Sequence, residues 1–242
     1  MLEVLATLGL ALPSPAAPVV SKSASAWCAQ DAGQHDWKGL SLWSMDGATF
    51  RVPDSVDKRA RFGDQSYASG KVVSNPQVRA VNVTAITTHL VTDMAFGQYG
   101  HNEVLYAKTP VERITEPSLT VFDRGFLCAE IFLGLTLAGE ERHLLIPAKS
   151  NTKWERLSGS EKDGLVRMRV SPQGRAKAPF LPKTLDRHVV RMVSANGKER
   201  VLLTSLLDRR RYKARIWPSA IAVAGKSKPV IANSSRRCWA VR

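Results

Sequence analysis

The sequence lacks a run of apolar residues long enough to cross a membrane as a helix, and it has little cysteine. A spanning helix needs about 18 or more consecutive apolar residues, and no such run occurs among these 242 residues. Cysteine is found only at Cys28, Cys128 and Cys238. This odd, scattered set excludes a disulfide framework and has no metal-site spacing, which is typical of a reducing compartment such as the cytoplasm.

Acidic residues are missing from the end of the chain. The whole sequence holds 35 Lys and Arg against 21 Asp and Glu, a net charge of +14. Residues 209–242 contain ten Lys and Arg and no acid, so residues 1–208 are close to neutral. A cationic tail binds phosphate without sequence preference, and it is therefore weaker evidence for a nucleic-acid partner than a basic domain would be.

The remaining composition is that of a globular protein, with 44% hydrophobic and 23% charged residues. It excludes a wholly disordered chain and a fibre, and its length suits one medium domain or a domain with an insertion. Residues 1–36, which are rich in Ala, Pro and Ser, predict a poorly ordered leader. The tail over 209–242 shows no sustained helical period and contains Pro218 and Pro229, so we expect it not to pack.

Strand and helix patterns alternate over residues 37–150. The order predicted is three strands, a helix, a strand, a helix and a strand, which indicates an α/β protein with a mixed sheet and flanking helices. The helices are expected after Asn102, as an N-cap, and before Gly139, as a stop. The strands are predicted over 40–52, 78–87, 89–96, 119–122 and 143–148. Residues 151–208 predict a β-rich segment that is an insertion or a subdomain.

Two aspartates carry the chemistry that the strands suggest. Asp46 lies inside an apolar strand before Gly47, and Asp123 ends another before Arg124. Carboxylates from adjacent strands can converge on Mg²⁺, and two such ions can promote phosphodiester cleavage. The alternative is structural: Asp before Gly is common in turns, and Asp123 could cap a helix or pair with Arg124.

Other polar residues give weaker signals. Lys149, Asn151 and Lys153 follow a strand and could face a phosphate backbone, although a solvated turn would look the same. Glu103 is an ordinary acid for the first turn of a helix. His89 and His101 have no metal-ligand spacing and are more typical of surface or core histidines.

Several blocks of sequence, in order, resemble a known family. They resemble the DDE transposases of bacterial insertion sequences of the insertion-sequence-four type, and the similarity runs from about residue 27 to about residue 212. The blocks are WKGLSLWSMDGATFRVPDS, NPQVRAV, HLVTDMAFGQYGHNE, LTVFDRGF, LLIPAKSNTKW and VLLTSLLD.

The resemblance implies a ribonuclease-H-like fold with a β-rich insertion at 151–208, before the last catalytic helix. It implies Mg²⁺-dependent cutting and joining of double-stranded transposon DNA, with Asp46 and Asp123 as the first two catalytic, metal-binding carboxylates. Arg124, Lys149, Asn151 and Lys153 are then expected to contact DNA. A second copy of the chain or a complete transposase is a possible protein partner.

The chain departs from the family pattern at its end. The third family carboxylate is a Glu in a Tyr-Arg-Glu-Lys helix, and no acidic residue follows Asp208. Ordinary codons chosen for residues 215–241, read one base earlier, can encode DLAERYRRRWQIETSYRELKQVLGS, which holds that motif. We therefore expect a truncated, frameshifted and inactive transposase whose tail is out of frame. The alternatives are a metal-dependent nuclease, and a non-catalytic DNA-binding protein or inhibitor of a complete transposase.

Overall fold

The computed structural model gives a mixed α/β fold built on one large sheet. It describes residues 26, 37–64, 70, 75–177, 179–193, 197, 199–218 and 220. The predicted leader over 1–36 therefore lies outside the described residues, except for residue 26. In the described part, no helix is both long and apolar enough to span a membrane.

Nine strands and four α-helices make up the described fold. The strands are β1 (Ser41–Arg51), β2 (Gln77–Ala85), β3 (Val91–Gln98), β4 (Ser118–Phe122), β5 (Arg142–Pro147), β6 (Glu155–Gly159), β7 (Asp163–Arg169), β8 (Thr184–Val193) and β9 (Glu199–Thr204). The helices are α1 (Val56–Phe62), α2 (Glu103–Glu112), α3 (Ala129–Ala138) and α4 (Pro172–Lys177).

All nine strands join one sheet in the order β3-β2-β1-β4-β5-β9-β8-β7-β6. The three central strands β1, β4 and β5 run parallel, and every other neighbouring pair is antiparallel. The parallel strands are joined through segments that contain the two longest helices, as a crossover between parallel strands requires. Their carboxyl ends consequently meet at one edge of the sheet.

Two apolar clusters cover opposite faces of this sheet. One contains residues of β1 and β2, such as Met45 and Val83, packed against α2 and α3; we call this side the helix face. The other contains Leu42, Leu119 and Trp217, and we call this side the tail face. Successive residues of a strand point to opposite sides, so odd and even positions of β1 divide between the two clusters.

The predicted elements over 37–150 are confirmed, with boundaries that differ by a few residues. Asn102 caps α2 by accepting a hydrogen bond from the amide of Val104 at 3.0 Å, and Gly139 ends α3. Pro110 lies in the last turn of α2 and is buried, and because it has no N–H it removes one helical hydrogen bond two residues before the helix ends. The short helices α1 and α4 were not predicted.

Residues 151–208 are β-rich, as predicted, and their strands extend the same sheet. Strands β7, β8 and β9 pair in sequence, and β9 also pairs with β5, with Ile146 opposite Leu203. This pairing connects the β-rich segment directly to the central strands. Whether the segment is an insertion into a smaller ancestral domain stays a prediction.

The start of the tail packs, which corrects one sequence prediction. Tyr212 is 5% exposed and Trp217 is fully buried, and both belong to the apolar cluster of the tail face. The ring centroids of Trp37 and Trp217 lie 5.1 Å apart, and the Trp217 indole donates to the Tyr212 carbonyl at 3.3 Å. The expectation that the tail does not pack is wrong here because these aromatic rings fill space over β1 and β4. The expected lack of packing therefore no longer supports a change of reading frame before Trp217.

Candidate active site and adjoining cleft

Asp46 and Asp123 lie on neighbouring parallel strands at the edge where the parallel strands end. Asp46 is in β1, and Asp123 directly follows β4 with an extended backbone (φ −76°, ψ 155°). The register of the two strands pairs Met45 with Phe122. Asp46 and Asp123 each follow this pair by one residue, so they lie at adjacent positions on the two strands.

Both aspartates belong to the tail face. Leu42 and Leu119 are paired across β1 and β4, and both lie in the apolar cluster of that face. Each aspartate follows its leucine by four residues, an even number, so it points to the same side of the sheet. This places the two carboxylates on the side that also carries Trp217.

Local hydrogen bonds hold each carboxylate against its own backbone. Asp46 Oδ1 accepts from the amide of Gly47 at 3.0 Å, and Asp123 Oδ1 accepts from the amide of Arg124 at 2.6 Å. Asp123 thereby caps a 3₁₀ turn over Arg124–Phe126, as the structural alternative anticipated. Each carboxylate has a second oxygen, so the capping role and a ligand role are compatible.

Glu103 reaches the same edge from the other face. A Cβ added at Gly47 would lie 2.6 Å from the Glu103 carboxyl carbon, so this glycine gives the carboxylate its place. Because Gly47 and Asp46 point to opposite faces, Glu103 is on the helix face and apart from the aspartate pair. Arg79 Nε lies 4.0 Å from Glu103 Oε1, as expected for an ordinary helix-start acid with a cationic neighbour.

The aspartate pair has the donor chemistry of a hard divalent cation. Mg²⁺ is usually held by one or two carboxylates and keeps several waters. Asp46 is half-buried and Asp123 is exposed, so both are accessible to solvent at the sheet edge. Across the residues that the structure describes, no group of three or more His, Cys, Asp and Glu side chains is placed to hold a metal ion.

A cleft of about 980 Å³ opens on the helix face of the sheet, and neither aspartate lines it. Its walls come from the start of α3, the segment after β5, strand β7 and helix α4. Lys149, Asn151 and Lys153, which the sequence singled out, all line it, together with Trp154. Lys149 Nζ donates to the carbonyl of Leu127 at 3.4 Å, which ties the segment after β5 to the loop that follows Asp123.

The cleft is cationic on balance. Four basic and two acidic residues line it: Lys149, Lys153, Arg167, Arg169, Glu130 and Glu155. Glu130 pairs with Lys108 and Arg167 pairs with Asp186, both at 2.7 Å, and Arg167 also lies opposite Glu155 in the register of β6 and β7.

Two further titratable groups are Cys128, in the cleft wall, and Arg187, behind the Phe132 ring of that wall. Arg187 is buried with its guanidinium carbon 5.0 Å from the centroid of the Phe132 ring, which lines the cleft. Burial lowers the pKa of Arg187 to about 10, so it still adds positive charge at neutral pH. Burial raises the pKa of the Cys128 thiol, which makes it a poor nucleophile.

The structure divides the residues that the sequence singled out between two places, the aspartate pair and the cleft, and adds two more. Lys149, Asn151 and Lys153 share one wall of the cleft, whereas Arg124 is exposed beside Asp123 and does not line the cleft. Sequence reasoning missed Arg169, whose only signal was alternation along β7. It also missed Asn82, a buried amide in a strand of Val and Ala.

Comparison with known proteins relates the chain to transposases of one type, although no family model matches it. It is 34% identical over 195 residues to "Transposase InsG for insertion sequence element IS4" of Escherichia coli K12, covering 80% of this chain and 43% of the relative. It is 29% identical over 163 residues to "Putative transposase InsZ" of the same strain, covering 64% and 54%. The chain thus spans about half the length of these relatives.

Among solved structures, the chain has a weak likeness to a piggyBac transposase in a synaptic complex with hairpin DNA. The likeness covers 82% of this chain and 40% of that chain, with a TM-score of 0.40 and 10% identity.

Proposed function

We propose that this chain, whose relatives are transposases of the IS4 type, is the catalytic core region of a DDE transposase. The reaction would be DNA transposition, in which insertion-sequence ends are cut and joined by metal-dependent phosphodiester chemistry. The observation that carries the proposal is the register of β1 and β4. It puts Asp46 and Asp123 at adjacent positions on one face of the sheet.

The sheet supports a ribonuclease-H-like assignment. Strands β1, β2 and β3 form an antiparallel meander, and β1 is also the first of the three parallel strands β1, β4 and β5. The order is β3-β2-β1-β4-β5. Helices α2 and α3 lie in the connections that precede β4 and β5 and pack on one face. In this proposal, β1 to β5 form the catalytic core over 37–150, and β6 to β9 form the inserted β-rich segment over 151–208.

Asp46 and Asp123 would hold the divalent cation, which we propose is Mg²⁺. When bound, the ion supplies Lewis-acid stabilisation of phosphoryl oxygens and a more acidic water. The two carboxylates supply negative charge at one side of the sheet, and their backbone hydrogen bonds fix one oxygen of each in place.

The cleft provides a separate surface for DNA, on the helix face of the sheet. Lys149, Asn151 and Lys153 would contact phosphates along its wall, and Arg124 would contact the backbone beside Asp123. Cationic and amide side chains are the usual phosphate contacts, and they position DNA without reading its sequence. The protein would work on double-stranded DNA in the cytoplasm, as a homodimer or with a complete transposase.

The 242-residue chain would not complete the reaction by itself. The residues that resemble the family include two of its three catalytic carboxylates, and no acid follows Asp208. Without a third anchor, the cations would not be fixed relative to the scissile phosphate, and a displacement of about 1 Å can cost about a hundredfold in rate. DNA and metal binding do not need the third carboxylate.

Metal-dependent thermal unfolding tests the proposal. Mn²⁺ should raise the unfolding temperature of the wild-type chain, because a ligand that binds only the folded state stabilises it. Asp46→Asn and Asp123→Asn should each abolish most of that rise, and Asp57→Asn, on exposed α1, should leave it unchanged. An equal rise in all four proteins, or none in the wild type, would overturn the metal site and the proposed function with it.

A further inference from the structure

A third polar side chain lies in line with the two aspartates. On the side of β1 away from β4, strand β2 pairs antiparallel with β1, and this register places Asn82 directly opposite Asp46. Asp123 is at the adjacent position on the other side of Asp46. Side chains at such opposed positions share a face and have Cβ atoms about 5 Å apart. Asn82, Asp46 and Asp123 thus form one row across three strands.

We propose that Asn82 completes this row as an oxygen ligand for the divalent cation, through its side-chain carbonyl. The inference rests on the proposed function, which assigns the cation to Asp46 and Asp123. Hard cations accept both carboxylate and amide carbonyl oxygens. The row would supply three oxygen donors with only two negative charges.

Asn82 is a buried polar residue on the tail face of β2. It is 2% exposed, and Thr84, two residues along on the same face, is 6% exposed. Burying an amide costs roughly 1–3 kcal/mol in proteins unless its polar groups have partners. The Thr84 hydroxyl serves the NH₂ group of Asn82, so the side-chain carbonyl is the group that still needs a partner.

The hydrogen bonding of Asn82 fixes the direction of its carbonyl oxygen. Asn82 Nδ2 donates to the hydroxyl of Thr84 at 2.9 Å, along the same strand. Since the amide is planar, Oδ1 is directed away from Thr84. Among the hydrogen bonds of the described residues, none is donated to this oxygen. The amide is therefore held with its acceptor available on the tail face.

A row of two carboxylates and an amide also makes electrostatic sense without a cation. A third carboxylate next to Asp46 would add like-charge repulsion at about 5 Å between neighbours, which is unfavourable on one face of a sheet. The neutral amide avoids that repulsion in the metal-free protein. The same reasoning predicts that Asn82→Asp makes the row more dependent on a cation.

Calorimetric titration of the full chain with Mn²⁺ tests the inference. Asn82→Leu should weaken Mn²⁺ binding about tenfold, as losses of ligand-supporting groups commonly do. Asn82→Asp should strengthen it by about the same factor, since a carboxylate replaces a neutral oxygen donor. Gln77→Glu, which adds the same charge at the far end of β2, is the matched control and should bind Mn²⁺ like the wild type.

The outcomes separate this inference from the proposed function. If Asp46→Asn and Asp123→Asn lose Mn²⁺ binding while both Asn82 variants bind like the wild type, Asn82 is only a structural residue and the inference is wrong. If Asn82→Leu fails to fold, Asn82→Asp decides alone: its unfolding temperature should fall without metal and recover with Mn²⁺. If Mn²⁺ stabilises Asn82→Asp no more than it stabilises the wild type, the inference is wrong.

Discussion

The imidazole of His188 lies 2.9 Å, through Nε2, from Oδ1 of Asp163. His188 is fully buried in β8, and its other ring nitrogen is 3.2 Å from the carbonyl oxygen of Leu206. The same aspartate accepts from Arg209 Nε at 3.0 Å and from the amide of Ala214 at 3.0 Å. One carboxylate at the start of β7 thus ties the β-rich segment to the beginning of the tail.

Stability at acid pH should depend on Asp163. Burial by itself raises the pKa of Asp163. Hydrogen bonds from Arg209, His188 and the Ala214 amide together lower that pKa by more, so it lies below the usual value. A carboxyl whose folded pKa is lowered stabilises the fold above its unfolded pKa of about 3.9, and that contribution is lost as pH falls through the folded pKa. The free energy of unfolding in urea should therefore fall less in Asp163→Asn than in the wild type as the pH is lowered from about 6 to about 3.

The control for this comparison is Asp57→Asn, which changes an exposed carboxylate in the first turn of α1. Its profile should follow that of the wild type. If Asp163→Asn and the wild type lose stability in parallel as pH falls, the contacts of Asp163 do not contribute to the acid limb.

Gly97 and Gly100 should respond oppositely to alanine, although they are three residues apart. A Cβ at Gly97 would lie 2.6 Å from the Tyr106 ring, which is held by the Tyr106 hydroxyl donating to the Gln98 carbonyl at 2.9 Å. Gly97→Ala should cost roughly 1–3 kcal/mol, the usual effect of overpacking. Nothing lies within 4 Å of a Cβ at Gly100, so Gly100→Ala should change the free energy of unfolding little or raise it slightly. Chemical denaturation measures both, and equal effects would refute the packing of Tyr106 on β3.

The cleft should set the salt dependence of DNA binding. Each phosphate contact contributes about 0.9 to the slope of log affinity against log salt for duplex DNA. Lys153→Gln and Arg169→Gln should each lower that slope by about 0.9, measured by fluorescence anisotropy with a labelled duplex. Lys162→Gln, an exposed site in the turn between β6 and β7, should leave the slope unchanged. If the Lys162 variant loses as much as the cleft variants, the DNA path does not run through the cleft.

The purified chain should show no strand cleavage or strand transfer with Mg²⁺ or Mn²⁺. Under the proposed function, no third carboxylate would fix the cations relative to the scissile phosphate. Nicking of supercoiled plasmid is a sensitive measurement because one cut per molecule changes its mobility. Metal-dependent nicking that disappears in Asp123→Asn would show a competent nuclease and contradict the expectation of an inactive chain.

Sequence alone determined the local elements and nominated the two aspartates. Short-range rules suffice for the elements: Asn102 and Gly139 mark helix ends by capping chemistry, and apolar runs such as the one around Met45 mark strands. The order of strands and helices also predicted a mixed sheet. The resemblance in sequence blocks then identified Asp46 and Asp123 among many acids that spacing could not separate.

Only the tertiary structure decided which residues share a face. The register of β1 with β2 and β4 is set by packing on both faces, and a shift of one residue would turn Asp46 away from Asp123 and Asn82. The packing of Trp217 over β1 and β4 depends on contacts with Trp37, about 180 residues earlier in the chain. Sequence patterns of period two or 3.6 contain no information about such long-range partners, so the burial of the tail's first residues was visible only in the folded chain.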